Sequence, residues 1–195
     1  MRLRRTLVEW TETATDDDLV AWTQRGEREA FGLLYQRYFP SVYGYCYRQL
    51  GEREAAQDAA AETFRKALAA LPSYQPLAFR GWLFTIARHV IADTMRARHG
   101  EWTLDEAADV PDTGPSLEEH ALARGEMDTV IGLLSQLTPD QRDVIALRLT
   151  GLSPGDIGVV CGTSRAAVDM TLHRALLRLR ALMSVGAATR GGSRD

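Results

Sequence analysis

Six side chains near the C-terminus, Arg165, Asp169, Met170, His173, Arg174 and Arg178, are of types that read and grip a DNA groove. Between them Ala167, Val168, Leu172, Ala175, Leu176 and Leu179 recur mostly at spacings of three and four, so a helix here packs one face and leaves the other free. A groove-reading helix sets its early residues at base edges and its cations near phosphates, and Arg165, Arg174 and Arg178 are placed for that work. The bland alternative is a helical hairpin with a solvated charged face.

Two more groups stand out upstream. Asp58, Glu62 and Arg65 share one helical face with Phe64 adjacent, which makes a charged stripe beside an aromatic anchor for a protein partner; the alternative is a solvated face beside a core Phe. Phe79 and Trp82, three apart, together with Tyr74 could stack on an unstacked base while Arg80, Arg88 and Arg96 hold phosphates. Taken singly, Phe79 and Trp82 read more readily as core residues. Tyr74 is the better candidate for base capture, because a loop flanked by Pro72 and Pro76 is stiff and hard to bury.

Catalytic chemistry finds no foothold. The sequence has no phosphate-cradling glycine loop, no HExxH and no Ser/His/Asp group that spacing assembles, so His89, His99, His120 and His173 read as surface or polar-interface residues. Cys46 and Cys161 lie far apart, without CxxC or a His at ligand spacing; two free thiols are expected, with no zinc site and no cofactor.

The elements that must position these groups are spelled locally. Ser153-Pro154 with Asp156 starts a short helix, Gly162 turns the chain, and Ser164 caps the next helix from about Arg165: a helix-turn-helix. Thr15 to Asp18 and Thr138 to Gln141 are capping boxes, and the helix after Thr138 stops at Gly151. Glu27 starts a helix through Tyr38, with Pro40 marking a boundary. In Ser41 to Leu50 the alternating Tyr43, Tyr45 and Tyr47 suggest a strand, but Val42, Cys46 and Leu50 keep helical spacing, and helix is the reading taken. Glu52 to Leu71 is an Ala-rich helix, Pro72 to Pro76 a loop, and Leu77 to about Arg98 a further helix. A helix is also expected from Leu117 to Leu134, and a disordered Gly- and Ser-rich tail after Met183. No segment reads as strand; the expected fold is all-α, two small helical bundles.

Composition agrees with that division. The 195 residues are 45% hydrophobic and 25% charged, ordinary for a soluble globular protein. Net charge is −3, yet unevenly spread: acids from Glu101 to Asp128 separate the basic flanks Arg80 to Arg98 and Arg174 to Arg194. The acidic stretch 99–116, with Pro111, Gly114 and Pro115, reads as a linker. Acids follow the basic N-terminus where a signal peptide needs an apolar run, and nothing approaches the roughly 18 apolar residues of a membrane span, so a cytoplasmic protein without membrane insertion is expected.

Taken in order, these residues resemble those of a bacterial RNA polymerase sigma factor of the extracytoplasmic-function group, over about residues 16 to 182. Ala30-Phe31, Leu34-Tyr35 and Arg37-Tyr38 resemble that family's first helix pair; Asp58 and Glu62-Thr63-Phe64 its polymerase-binding helix; Phe79, Trp82-Leu83, Ile86-Ala87-Arg88 and Asp93 its promoter-melting helix. Leu137, Arg142, Val144, Leu147-Arg148, Gly151-Leu152-Ser153, Ile157, Ser164, Val168 and His173-Arg174-Ala175 resemble its minus-thirty-five-reading domain.

The resemblance implies a non-enzymatic protein that docks on core RNA polymerase, directs it to promoter DNA, and is held inactive by an anti-sigma factor. It implies an N-terminal extension (1–15), a region 2 domain (16–98), the linker (99–116), a region 4 domain (117–184) and a tail (185–195). Asp58, Glu62, Phe64 and Arg65 would contact polymerase. Ser73, Tyr74, Gln75, Phe79, Arg80, Trp82, Arg88, His89 and Arg96 would meet the minus-ten element. Ser164, Arg165, Ala167, Asp169, Met170, His173, Arg174 and Arg178 would meet the minus-thirty-five element. Ala59, Ala60 and Ala61 depart from the family's larger side chains, and Asp169 and Thr171 from its cations. A carboxylate near phosphates repels but at a base edge can accept from cytosine N4. The alternatives are a helix-turn-helix regulator and a protein-binding decoy without initiation activity.

Overall fold

A computed structural model describes residues 14–75, 78–101 and 129–191, and among these no strand occurs. Of the expected linker, residues 99–101 are helical and the rest lies outside them, as does most of the helix expected from Leu117. In helix α1 (Asp16–Gln24) both halves of the capping box form: the Asp18 amide donates to the Thr15 hydroxyl, and the Thr15 amide to the Asp18 carboxylate. The Thr15 hydroxyl and amide hold the Asp18 carboxyl below its ordinary range.

Helix α2 (Arg28–Leu50) runs unbroken through Pro40, so no boundary falls there. Proline removes one interior hydrogen bond, but Pro40 is exposed, and Tyr35, Phe39, Tyr43 and Tyr47 form a ladder of rings across it with centroids 5.0, 6.1 and 6.0 Å apart. That ladder ties the two halves of the helix together. The alternating tyrosines are thus divided between faces: Tyr45 points into the core, edge-on to Phe84 at 5.6 Å. Gly51, at φ 75°, ends the helix by donating its amide to the Tyr47 carbonyl.

Helix α3 (Arg53–Ala70) buries Ala56, Ala59, Ala60, Thr63, Phe64 and Ala67, and its small side chains permit close helix packing. A 3₁₀ turn (Leu71–Ser73) leads towards helix α4 (Phe79–Glu101). The C-terminal bundle holds helical residues 129–135, then α5 (Pro139–Leu149), α6 (Pro154–Cys161) and α7 (Arg165–Gly191), with α5 and α6 both started by complete capping boxes. Helix α7 continues past Met183, where irregular chain is expected; once a helix is nucleated, each added residue gains a bond.

The bundles are not held apart. Val144, Leu147, Leu152, Ile157 and Val160 belong to the same continuous core as Val42, Tyr45, Phe84 and Ala87, while Leu134, Leu137, Ile145 and Ala175 form a second cluster within the C-terminal bundle.

Candidate nucleic-acid interface

The helix-turn-helix is built from short-range bonds. The Ser153 hydroxyl accepts from the Asp156 amide and the Asp156 carboxylate from the Ser153 amide, both at 3.2 Å. Gly162 takes φ 65°, and the Thr163 amide donates to the Gly158 carbonyl at 2.8 Å, closing the turn. The Ser164 hydroxyl then accepts from the Ala167 amide at 3.2 Å and caps α7. Val168 and Ala175 are buried; Arg165, Ala167, Asp169, Met170, His173, Arg174 and Arg178 face solvent together with Ser164. Arg165 and Asp169 form an ion pair across one turn at 3.8 Å. Leu176, expected on the packed side, is exposed instead. It lines an open apolar groove of about 360 Å³ with Val130, Leu134, Leu149, Leu179 and Met183.

The minus-ten candidates separate into two sets. Ser73, Gln75, His89 and Arg96 are exposed, Arg96 paired with Asp93. Tyr74 is not presented to solvent: it is 8% exposed, its ring 4.7 Å from that of half-buried Trp82 and 6.1 Å from that of buried Phe79. Tyr74 can turn inward because Gln24 donates its side-chain amide to the carbonyls of Leu71 and Tyr74, each at 3.0 Å, satisfying groups that water would otherwise serve. Arg80 lies over the Tyr38 ring and donates to the Thr150 carbonyl in the other bundle. Arg88 donates to Asp143, also in the other bundle, at 2.7 Å.

On α3, Asp58 is exposed and Glu62 forms a two-point pair with Arg65, both contacts at 2.6 Å, which holds the Glu62 carboxyl below its ordinary range. Phe64, expected beside the charged stripe, is turned inward. It is 3% exposed, packed among Phe31, Tyr35 and Phe39, because its face of α3 turns onto the ladder of α2. A groove runs between α3 and α4, lined by Asp58, Ala59, Glu62, Val90, Thr94 and Arg98. The α4 side of that groove was beyond sequence reasoning, since no spacing relates Val90 to Asp58. The apolar groove did leave a trace, Leu172, Leu176, Leu179 and Met183 at spacings of three and four.

Among the described residues no three His, Cys, Asp or Glu side chains converge as metal ligands, and no helix is long and apolar enough to cross a membrane.

A helical bundle followed by a capped helix-turn-helix with an open outer face has the architecture of a DNA-binding protein. Residues 34–101 match the family model of Sigma-70 region 2, and residues 128–179 that of Sigma-70, region 4. The ECF RNA polymerase sigma factor ShbA of Streptomyces griseus is 34% identical over 88% of this chain and 96% of its own length. BldN of Streptomyces coelicolor, another ECF sigma factor, is 33% identical over 89% of this chain and 67% of its own. CnrH, solved in complex with the cytosolic domain of CnrY, superposes with a TM-score of 0.70 at 28% identity, covering 87% of this chain and 97% of that one. The sigma factor RpoE of Bartonella quintana, solved with the anti-sigma factor NepR, gives a TM-score of 0.62 at 25% identity, covering 80% of this chain and 97% of that one.

The chain belongs to the extracytoplasmic-function group of RNA polymerase sigma factors. Its function is to direct core RNA polymerase to promoters and so initiate transcription.

Proposed function

We propose that the three surfaces divide that function between them. Polymerase docks at the α3–α4 groove, where Asp58 and Glu62 form an acidic rim. The minus-ten element meets α4 and the loop before it through Ser73, Gln75, His89 and Arg96, joined by Arg80 and Arg88, while Tyr74, Phe79 and Trp82 form the aromatic floor beneath. The minus-thirty-five element takes the outer face of α7, with Arg165 and Asp169 at base edges and Arg174 and Arg178 at phosphates. The domain limits 16–98 and 117–184 suit this division. The protein's contribution is binding and positioning, with bond-making left to the polymerase, and it works in the cytoplasm where both partners are.

The observation that carries this reading is the unobstructed recognition face of α7, its side chains exposed after a fully bonded turn. Run-off transcription with purified core polymerase on a genomic promoter pool tests it. Initiation at promoters sharing two elements is expected; polymerase binding without initiation would make the chain a decoy. An anti-sigma partner fits as well: the apolar groove beside α7 has the form that accepts an amphipathic helix, and the related RpoE was solved with such a regulator.

A further inference from the structure

We propose that Asp143 is the catch of an intramolecular latch that closes the two bundles on each other in the free chain and withholds Arg80 and Arg88 from DNA. The second half of this statement rests on the minus-ten role proposed above for those two arginines.

Asp143 projects from α5 into the N-terminal bundle, and its principal donors come from there. Tyr45 donates its hydroxyl to Oδ1 at 2.6 Å, Gln49 its side-chain amide to the same oxygen at 3.2 Å, and Arg88 its Nε to Oδ2 at 2.7 Å. The Cys161 thiol of α6 stands 3.9 Å from Oδ2. The carboxylate is mostly buried, its side chain 15% exposed, so three donors satisfy a charge that would be costly to leave alone. Burial, then Asp143, pushes the Tyr45 hydroxyl well above its ordinary range.

A second interaction reinforces the catch. Arg80 donates to the Thr150 carbonyl, at the C-terminus of α5, where the helix dipole favours a cation. Gly151, at φ +89°, makes room for it: a Cβ there would lie 3.2 Å from Arg80 Nη2. Behind both lies the continuous apolar core of the two bundles.

This closed form masks selectively. The α3–α4 groove and the outer face of α7 remain open, whereas Arg80 and Arg88 point into the partner bundle. Nor can a closed chain span a promoter: elements about 25 base pairs apart are separated by roughly 85 Å at 3.4 Å per pair. Polymerase therefore engages the α3 side first, and the bundles part before α4 reaches DNA.

The test uses the full chain carrying Asp143→Asn, and separately Tyr45→Phe, which removes one donor and keeps the ring in the core. Small-angle scattering reports opening, and fluorescence anisotropy reports affinity for a mixed-sequence single-stranded 12-mer. Both variants should enlarge the radius of gyration. Both should also bind the oligonucleotide at least threefold more tightly at low salt, with a salt slope steeper by about 0.7 for each further phosphate neutralised. If neither variant, folded by circular dichroism, changes the radius of gyration, there is no latch; should Asp143→Asn fail to fold, Tyr45→Phe alone decides. An enlarged radius with unchanged oligonucleotide binding would retain the catch but overturn the masking and the minus-ten role of Arg80 and Arg88.

Discussion

Gly158 and Thr163 touch so closely that a Cβ on Gly158 would lie 2.8 Å from the Thr163 carbonyl oxygen. Because the obstacle is backbone at the turn of the helix-turn-helix, no side-chain motion relieves it. Gly158→Ala is expected to cost about 2 kcal/mol, the usual scale of overpacking, and to weaken promoter binding that depends on the minus-thirty-five element. Gly162→Ala, which meets open space but keeps φ 65°, should cost about 1 kcal/mol. Thermal unfolding of both variants, with holoenzyme binding to a promoter fragment, checks the order.

The Arg165–Asp169 pair makes the outer face of α7 partly self-neutralised. Asp169→Lys should raise holoenzyme affinity for promoter DNA about fivefold and relax any preference for cytosine at one position, since a carboxylate accepting from cytosine N4 is worth about 1–3 kcal/mol of discrimination. Selection from a randomised minus-thirty-five pool measures both. Unaltered preference would place Asp169 away from base edges.

Tyr74 and Trp82 should separate by what they damage. Removing the buried Tyr74 ring leaves a cavity against Phe79, so Tyr74→Ala should lower unfolding free energy by about 3 kcal/mol and reduce polymerase binding and promoter opening together. Trp82 is only half-buried. Trp82→Ala should impair strand opening more than polymerase binding, read by permanganate footprinting beside a polymerase pull-down. Equal loss of both, with a lowered melting temperature, would assign Trp82 to the core alone.

Burial pushes the Cys46 thiol up to about 12, above the 8.5 of a free cysteine. A raised folded value means the unfolded chain releases its proton first, so the stability that Cys46 confers is whole below pH 8.5 and lost as pH climbs towards 12. Urea midpoints between pH 9 and 11 should fall by the equivalent of about 1.4 kcal/mol per pH unit from this residue, and Cys46→Ala should flatten that part of the profile.

Arg96 is exposed and near the C-terminal end of α4, so its proposed contact is with phosphate. Arg96→Ala should weaken promoter binding evenly across sequences and lower the salt slope by about 1. A change in base preference would contradict a backbone role.

Much of the chain was legible because its signals act within four residues. Thr15 with Asp18, Thr138 with Gln141 and Ser153 with Asp156 each pair over three positions, and Gly162 turns the chain by its own φ. Such contacts need no knowledge of what lies across the fold. The open side of α7 was readable for the same reason, through its helical period. Leu176 was the exception, because packing decides which edge of an apolar stripe is covered.

What tertiary structure alone decided involves partners far along the chain. Pro40 stays within a helix because an aromatic ladder spans it, Tyr74 turns inward because Gln24, fifty positions away, satisfies its carbonyl, and Phe64 is core because α2 crosses it. Above all, Tyr45 and Arg88 reach Asp143 across separations of 98 and 55 residues. Local propensity carries no information about such encounters: burial and charge pairing depend on which helices come to lie side by side, and that is set by the collective packing of the core.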